Sequence, residues 1–207
     1  MNSTIHNFEN DILENNSKIT PDNVHATLSK YMLADGFDFV LDTENSFGTK
    51  IIDARNGDSY LDFFTFFASS ALGINHPKIK ADFVKEQIAN AAINKPSNSD
   101  IYTVQMAEFV NTFARVAKPS FMKYLFFVSG GTLAVENGLK VAFDWKVQKN
   151  FMKGYKSEKG QQIMHFKQAF HGRSGYTLSL TNTEPNKIKY FPKFNWPRIT
   201  NPKIIFP

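Results

Sequence analysis

The chain has 207 residues, 42% hydrophobic and 21% charged, with a formal net charge of +5; these are globular values and exclude a wholly disordered chain. It contains no cysteine, which excludes a disulfide scaffold, thiolate metal ligands and a cysteine nucleophile, and its unusual component is 21 phenylalanines. The mild positive charge fits a solvated surface, and no basic stripe with stacking aromatics supports a nucleic-acid module.

Residues 1–23 read as a polar lead-in without an apolar run of signal-peptide length. The most apolar stretch, residues 63–72 (FFTFFASSAL), is far shorter than the roughly 20 residues of a spanning helix. A soluble, cytoplasmic protein is expected. Residues 24–75 form an N-terminal segment. It opens with a weakly amphipathic stretch at 24–33, followed by a strand at 37–41 (FDFVL). The runs 49–53 and 59–64 flank Asn56-Gly57, a pair that tolerates the positive φ of a tight turn, so they read as a β-hairpin. The phenylalanines at 63–67 read as core.

Residues 76–207 read as the first part of a larger α/β domain. Asn75 is an N-cap candidate with Pro77 in the first turn, and Ile79, Phe83, Val84 and Ile88 repeat at helical spacing. A second helix opens near Ser99 and Asp100, shows Met106, Phe109, Val110, Phe113 and Val116 on one face, and stops at Pro119. Residues 124–128 (YLFFV) are a continuous apolar run of the kind found in buried parallel strands. A helix over 133–148, with Glu136 and Lys140 as an i,i+4 pair, follows. A lysine-rich loop to residue 160 precedes a second buried strand at 162–166 (QIMHF). His76 reads as a capping or packing residue and His165 as core. Alternating buried strands and helices mean a parallel sheet. The last stretch, 184–207, shows no clear element.

Two corners carry chemistry. Ser129-Gly130-Gly131-Thr132 joins a strand to a helix N-terminus, where free N–H groups and the helix dipole attract an anion. It matches neither G-x-x-x-x-G-K-[ST] nor G-x-G-x-x-G, and from composition alone an ordinary βα turn is the favoured reading. Phe170-His171-Gly172-Arg173 follows the second strand, where ligand sites of open α/β sheets lie. It places a ring, an imidazole and a guanidinium within four positions, and Arg173 could hold a carboxylate through two parallel bonds. A surface loop with a structural arginine is the alternative. No G-x-S-x-G, H-E-x-x-H or EF-hand spacing occurs.

Taken together, MLADGFDFVLD, YLDFFTFFASSALGINHP, NKPSNSD, GGTLAVENGLKVAFDWK, AFHGRSGYTLSLTNT and KFNWPRI resemble the class III aminotransferases of pyridoxal-phosphate fold type I, in their lysine-specific branch. The resemblance runs over about residues 32–202. It implies an incomplete fold type I: part of the small domain and the first half of the large domain's mostly parallel sheet. It implies that Gly131 and Thr132 hold the phosphate of pyridoxal 5′-phosphate, that Phe170 stacks on its ring with His171 beside it, and that Arg173 takes the substrate's α-carboxylate. Ser69 and Ser70 would lie near a dimer interface. The implied reaction moves the terminal amine of L-lysine to 2-oxoglutarate in a homodimer with shared sites. Complete family members are about twice this length, as two domains demand, and the Schiff-base lysine has no counterpart in this chain. The chain alone is therefore expected to be inactive, with an unpaired sheet edge that favours aggregation. Another ω-amine such as ornithine as substrate, or a non-catalytic fragment keeping only a dimer surface, are the competing readings.

Overall fold

The computed structural model describes residues 19–95 and 99–204. The expected lead-in lies outside the described residues as far as residue 18, as does the middle of the NKPSNSD word. The chain divides into two compact units, one reaching to Asn111 and one beginning at Thr112. No helix among the described residues is long and apolar enough to cross a membrane.

In the first unit a 3₁₀ turn, Pro21–Asn23, leads into α1, Val24–Leu28. The hairpin forms as the Asn-Gly signal predicts: β1, Lys50–Ile52, pairs antiparallel with β2, Ser59–Leu61, with Ile51 opposite Tyr60. Inside the connection, the Gly57 N–H donates to Asp53 C=O at 2.8 Å and the Asp53 N–H to Asp58 C=O at 2.8 Å. Asp53 is the anchor. Its fully buried carboxylate accepts the Val40 N–H at 3.2 Å and the Arg55 Nε and Nη2 groups at 3.0 and 2.7 Å. Arg55 continues to the Asp38 carboxylate at 2.9 Å and its carbonyl at 2.6 Å.

That anchor explains why residues 37–41 are not the expected strand. Only Leu41 bridges to Asp53, because the Val40 N–H and the Asp38 C=O, which a ladder would use, are taken by side chains. The phenylalanine cluster is not buried core either. Phe63 and Phe67 are 88% and 89% exposed, and α2, Thr65–Ala68, is one turn with positive φ throughout. Its rings contact each other instead: Phe64 lies 4.7 Å from Phe67 and 5.3 Å from Phe37, both edge-to-face.

Asn75 is not a helix cap. Its φ is +52° and its Nδ2 donates to the Thr43 and Ser46 carbonyls, both at 2.7 Å, so it closes the preceding loop. The turn after it is held by the His76 carbonyl, and the helix, α3, runs over Asp82–Asn94. The next helix, α4, is Val104–Val116, with the turn at residues 99–100 ahead of it.

The second unit is organised by α5, Gly131–Met152, and α6, Gly175–Leu180. Glu136, Leu139 and Asn150 are the buried residues of α5, and spacings of 3 and then 11 residues, the second about three whole turns, put them on one inward face. Leu139 packs with Leu180 and Trp196, flanked by Val135, Phe143, Ile163 and Tyr176. Trp196 stacks on Phe194 with centroids 5.0 Å apart and touches Phe143 at 5.6 Å. The proline-rich end, for which the sequence shows no element, therefore supplies a core tryptophan. It also supplies a 3₁₀ turn, Pro185–Lys187, and β4, Arg198–Ile199, which pairs in parallel with β3, His165–Phe166.

His165 is buried as expected, with Nδ1 at 3.2 Å from the Ile163 carbonyl and Nε2 accepting from Arg198 Nε at 3.0 Å. The strand expected over 162–166 is assigned only at its last two residues. Residues 124–128 are not a buried strand among the described residues. They form no ladder, and Tyr124 and Phe126 are 79% and 76% exposed, since the side chains of a parallel strand are buried only where other elements cover both faces of its sheet.

Candidate functional site

The two corners read from the sequence meet. Gly130 leads into α5 with φ +84° and ψ 160°, a conformation that only glycine adopts freely. The helix therefore starts abruptly at Gly131, leaving its first N–H groups without partners inside the helix. A methyl group added at Gly130 or Gly131 would meet nothing within 4 Å. The corner faces open space, with room for an anion against the backbone.

The second corner is pressed onto the first. Gly172 is buried at φ +113°, and a Cβ there would lie 2.4 Å from Thr132 Oγ1 and 2.5 Å from its methyl carbon. No side chain other than hydrogen fits, so the backbone of the 170–174 loop rests on the first turn of α5.

One turn further along α5, Glu136 repeats the contact. Its Oε1 accepts the Thr177 N–H at 2.9 Å and lies 3.3 Å from Ser174 Oγ. The expected Glu136–Lys140 pair is not formed, because the carboxylate is turned inward to cap α6 while Lys140 stays exposed. A carboxylate at a helix N-terminus satisfies an orphan donor and complements the dipole. The cap is closed by Thr177, which is fully buried; its hydroxyl donates to the Ser174 carbonyl at 2.6 Å and accepts the Ser174 N–H at 3.2 Å.

The candidate residues are distributed as follows. Gly131 and Thr132 are the first two residues of α5. Phe170 shows 58% of its surface, His171 is half-buried and Arg173 is exposed. Arg173 makes no ion pair among the described residues. Its charge reaches Glu184, whose carboxyl is held below its usual range first by Lys187 at 2.8 Å and more weakly by Arg173. An aromatic face and an uncommitted guanidinium thus flank a helix N-terminus.

Sequence reading missed Glu136, Thr177 and Thr181 as parts of this arrangement. The available signal was an acid on the apolar face of α5, three positions before Leu139. A second was the row of hydroxyls at Thr177, Ser179 and Thr181, all at most 1% exposed.

The chain is similar to known proteins over most of its length. A family model described as Aminotransferase class-III matches residues 32–204. An L-lysine-epsilon aminotransferase of Mycobacterium bovis is 55% identical over 184 residues, covering 88% of this chain and 41% of the relative. One from Streptomyces clavuligerus is 53% identical, covering 89% of this chain and 40% of the relative. The solved structure of a lysine aminotransferase from M. tuberculosis, in the internal aldimine form, superposes with a TM-score of 0.85 at 54% identity. That superposition covers 90% of this chain and 43% of the other. The chain spans about two fifths of the length of the curated relatives it matches.

Proposed function

This chain belongs to the class III aminotransferase family, with part of the pyridoxal-phosphate fold type I, and on that premise we propose that its complete gene product is an L-lysine 6-aminotransferase. It transfers the ε-amino group of L-lysine to 2-oxoglutarate, giving 2-aminoadipate 6-semialdehyde and glutamate, as a homodimer using pyridoxal 5′-phosphate. The observation that carries the proposal is the contact of Gly172 on Thr132. It brings a helix start beside a loop bearing a ring and a guanidinium that makes no ion pair among the described residues, which supports an anion site with a carboxylate grip next to it.

The residues present fit the cofactor. Gly131 and Thr132 would hold the phosphate through the unpartnered N–H groups opening α5, in space that the two glycines leave empty. Phe170, mostly exposed, offers a face for the pyridine ring, with His171 next to it. When bound, the cofactor supplies the electron sink for amine transfer.

The chain's own groups bind and orient. Arg173 makes no ion pair among the described residues and would grip the α-carboxylate of lysine. Held by that end, a straight six-carbon amino acid presents its far amine rather than its near one. The 170–174 backbone, fixed by Thr132 below and Glu136 behind, sets the point from which Arg173 reaches out relative to the phosphate corner. That placement would select the length of the amine donor.

The test compares L-lysine with cadaverine, which is lysine without the carboxylate. In the complete gene product, Arg173→Ala should lower kcat/KM for L-lysine by about 10–100-fold, the loss of a charge-assisted contact. Cadaverine turnover should be nearly unchanged. Equal losses for both donors, or no lysine-dependent glutamate formation by the unaltered protein, would overturn the reading.

A further inference from the structure

The loop that carries Phe170 and Arg173 owes its shape to a hydroxyl outside it. Thr181, the residue following α6, is 1% exposed. Its Oγ1 accepts the His171 N–H at 2.9 Å and donates its proton to the Gly172 carbonyl. These two groups belong to the peptide units on either side of the His171–Gly172 pair. One unit hangs from Phe170, and the other leads into Arg173. A single hydroxyl therefore fixes the turn between the ring and the guanidinium. It does so at the residue, Gly172, whose backbone bears on Thr132.

The rest of the loop is attached independently. At one end the Asn182 N–H donates to the Ala169 carbonyl at 2.9 Å, and Asn182 Nδ2 donates to the Phe166 carbonyl at 3.1 Å. At the other, Thr177 and Glu136 hold Ser174. Losing the Thr181 hydroxyl would leave both attachments in place and free only the middle.

We infer that Thr181 is a positioning residue of the site: acting through His171 and Gly172, its hydroxyl sets Phe170 and Arg173 relative to Thr132. The assignment rests on the functional reading above. Thr181 touches neither substrate nor cofactor in this scheme. It fixes the separation between the phosphate end and the carboxylate end, so it acts on the affinity for both.

The experiment uses the complete gene product with three substitutions. Thr181→Val keeps the shape and removes the hydroxyl, Thr181→Ser keeps the hydroxyl, and Thr181→Cys offers a weak donor of similar size. Three quantities are measured: the KM for L-lysine against kcat, the Kd of added pyridoxal 5′-phosphate by absorbance titration, and amide exchange at His171. For Thr181→Val, KM and Kd should each rise about tenfold, as expected for a buried pair left unmet. Exchange at His171 should accelerate in parallel. Thr181→Ser should stay within about twofold of the unaltered protein, with Thr181→Cys between them; should the valine variant misfold, the serine–cysteine pair carries the same ordering.

Thr181→Val with a lowered melting temperature but unchanged KM and Kd would reduce Thr181 to a structural residue. So would a serine variant as impaired as the valine one, because the methyl would then be the active part. An unaltered protein that neither binds the cofactor nor turns over lysine would sink the functional reading itself and the assignment with it. An active protein indifferent to all three substitutions would sink the assignment alone.

Discussion

Each unit of the molecule is anchored by a buried carboxylate, and the two are satisfied in opposite ways. In the first unit Asp53 is locked by the Arg55 fork and by backbone N–H groups within two residues of it or in the adjoining segment. In the second, Glu136 has no ion-pair partner among the described residues. It is met by a backbone N–H at 2.9 Å and a hydroxyl at 3.3 Å, 41 and 38 residues away in sequence. The first arrangement neutralises a charge and freezes a loop. The second spends a charge on holding one corner of a site against another. A carboxylate clamped by a fork tolerates no change, whereas one held by single donors sets a position that can be tuned.

The sharpest way to break the contrast is to neutralise Asp53. The Arg55 guanidinium holds its carboxyl well below the ordinary carboxylate range, aided by the Arg55 and Val40 N–H groups. A folded-state pKa below the unfolded one gives stability that is complete above the unfolded value, near pH 4. That stability is lost as pH falls below it toward the folded value. Asp53→Asn leaves Arg55 only its exposed partner Asp38 and should produce the largest effect considered: loss of amide protection across residues 37–61 at neutral pH. The remaining acid sensitivity of those amides between about pH 4 and pH 2 should also flatten. Hydrogen exchange by mass spectrometry reads both. Unchanged protection, or the same acid slope in the variant, would mean that Asp53 is not the anchor.

A second way is to push the two corners of the site apart. Gly172→Ala must adopt φ +113° and place a carbon 2.4 Å from Thr132 Oγ1. The backbone strain alone is worth about 1–3 kcal/mol. Adding Thr132→Ala removes the two nearest clashing atoms, the hydroxyl and the methyl, but leaves the Cβ at 2.8 Å and the strain, so the double variant should be more stable than the sum of the singles predicts. Thermal unfolding followed through buried Trp196 tests this in the second unit. Strict additivity would show that the corners do not touch.

What the sequence made legible follows the range of the forces involved. The β1–β2 hairpin could be read because Asn56-Gly57 acts locally, and α5 because a glycine pair ends an apolar run and a long helical pattern follows. The glycine and arginine corners could likewise be named from short words. Residues 37–41 misled because a side chain from 13 positions away takes the Val40 N–H. Asn75 looked like a cap, yet its amide is committed to carbonyls 29 and 32 residues back. Trp196 and β4 were invisible in a proline-rich tail because their partners, α5 and β3, lie well before them. In the site, the residues that point outward were legible. Glu136 and Thr181, which face inward and hold them, were not, since no local pattern records a partner across a fold.

The smallest expected effect discriminates most finely. Glu136→Gln keeps a carbonyl oxygen where Oε1 now accepts the Thr177 N–H, and its shape is unchanged. Glu136→Ala removes the acceptor and leaves a buried N–H and a hydroxyl unmet, worth about 2 kcal/mol of stability in the second unit. The glutamine variant should lose less than half of that, about 1 kcal/mol or below, because neutral partners need an acceptor rather than a charge. Denaturant unfolding at neutral pH, monitored through the tryptophans, separates the two. The parallel substitution at Asp53 has no such refuge: an amide oxygen and an NH₂ cannot both face a guanidinium fork. If Glu136→Gln proved as damaging as Glu136→Ala, the charge itself would be required. The two anchors would then work by the same means, one with its countercharge in view and the other without.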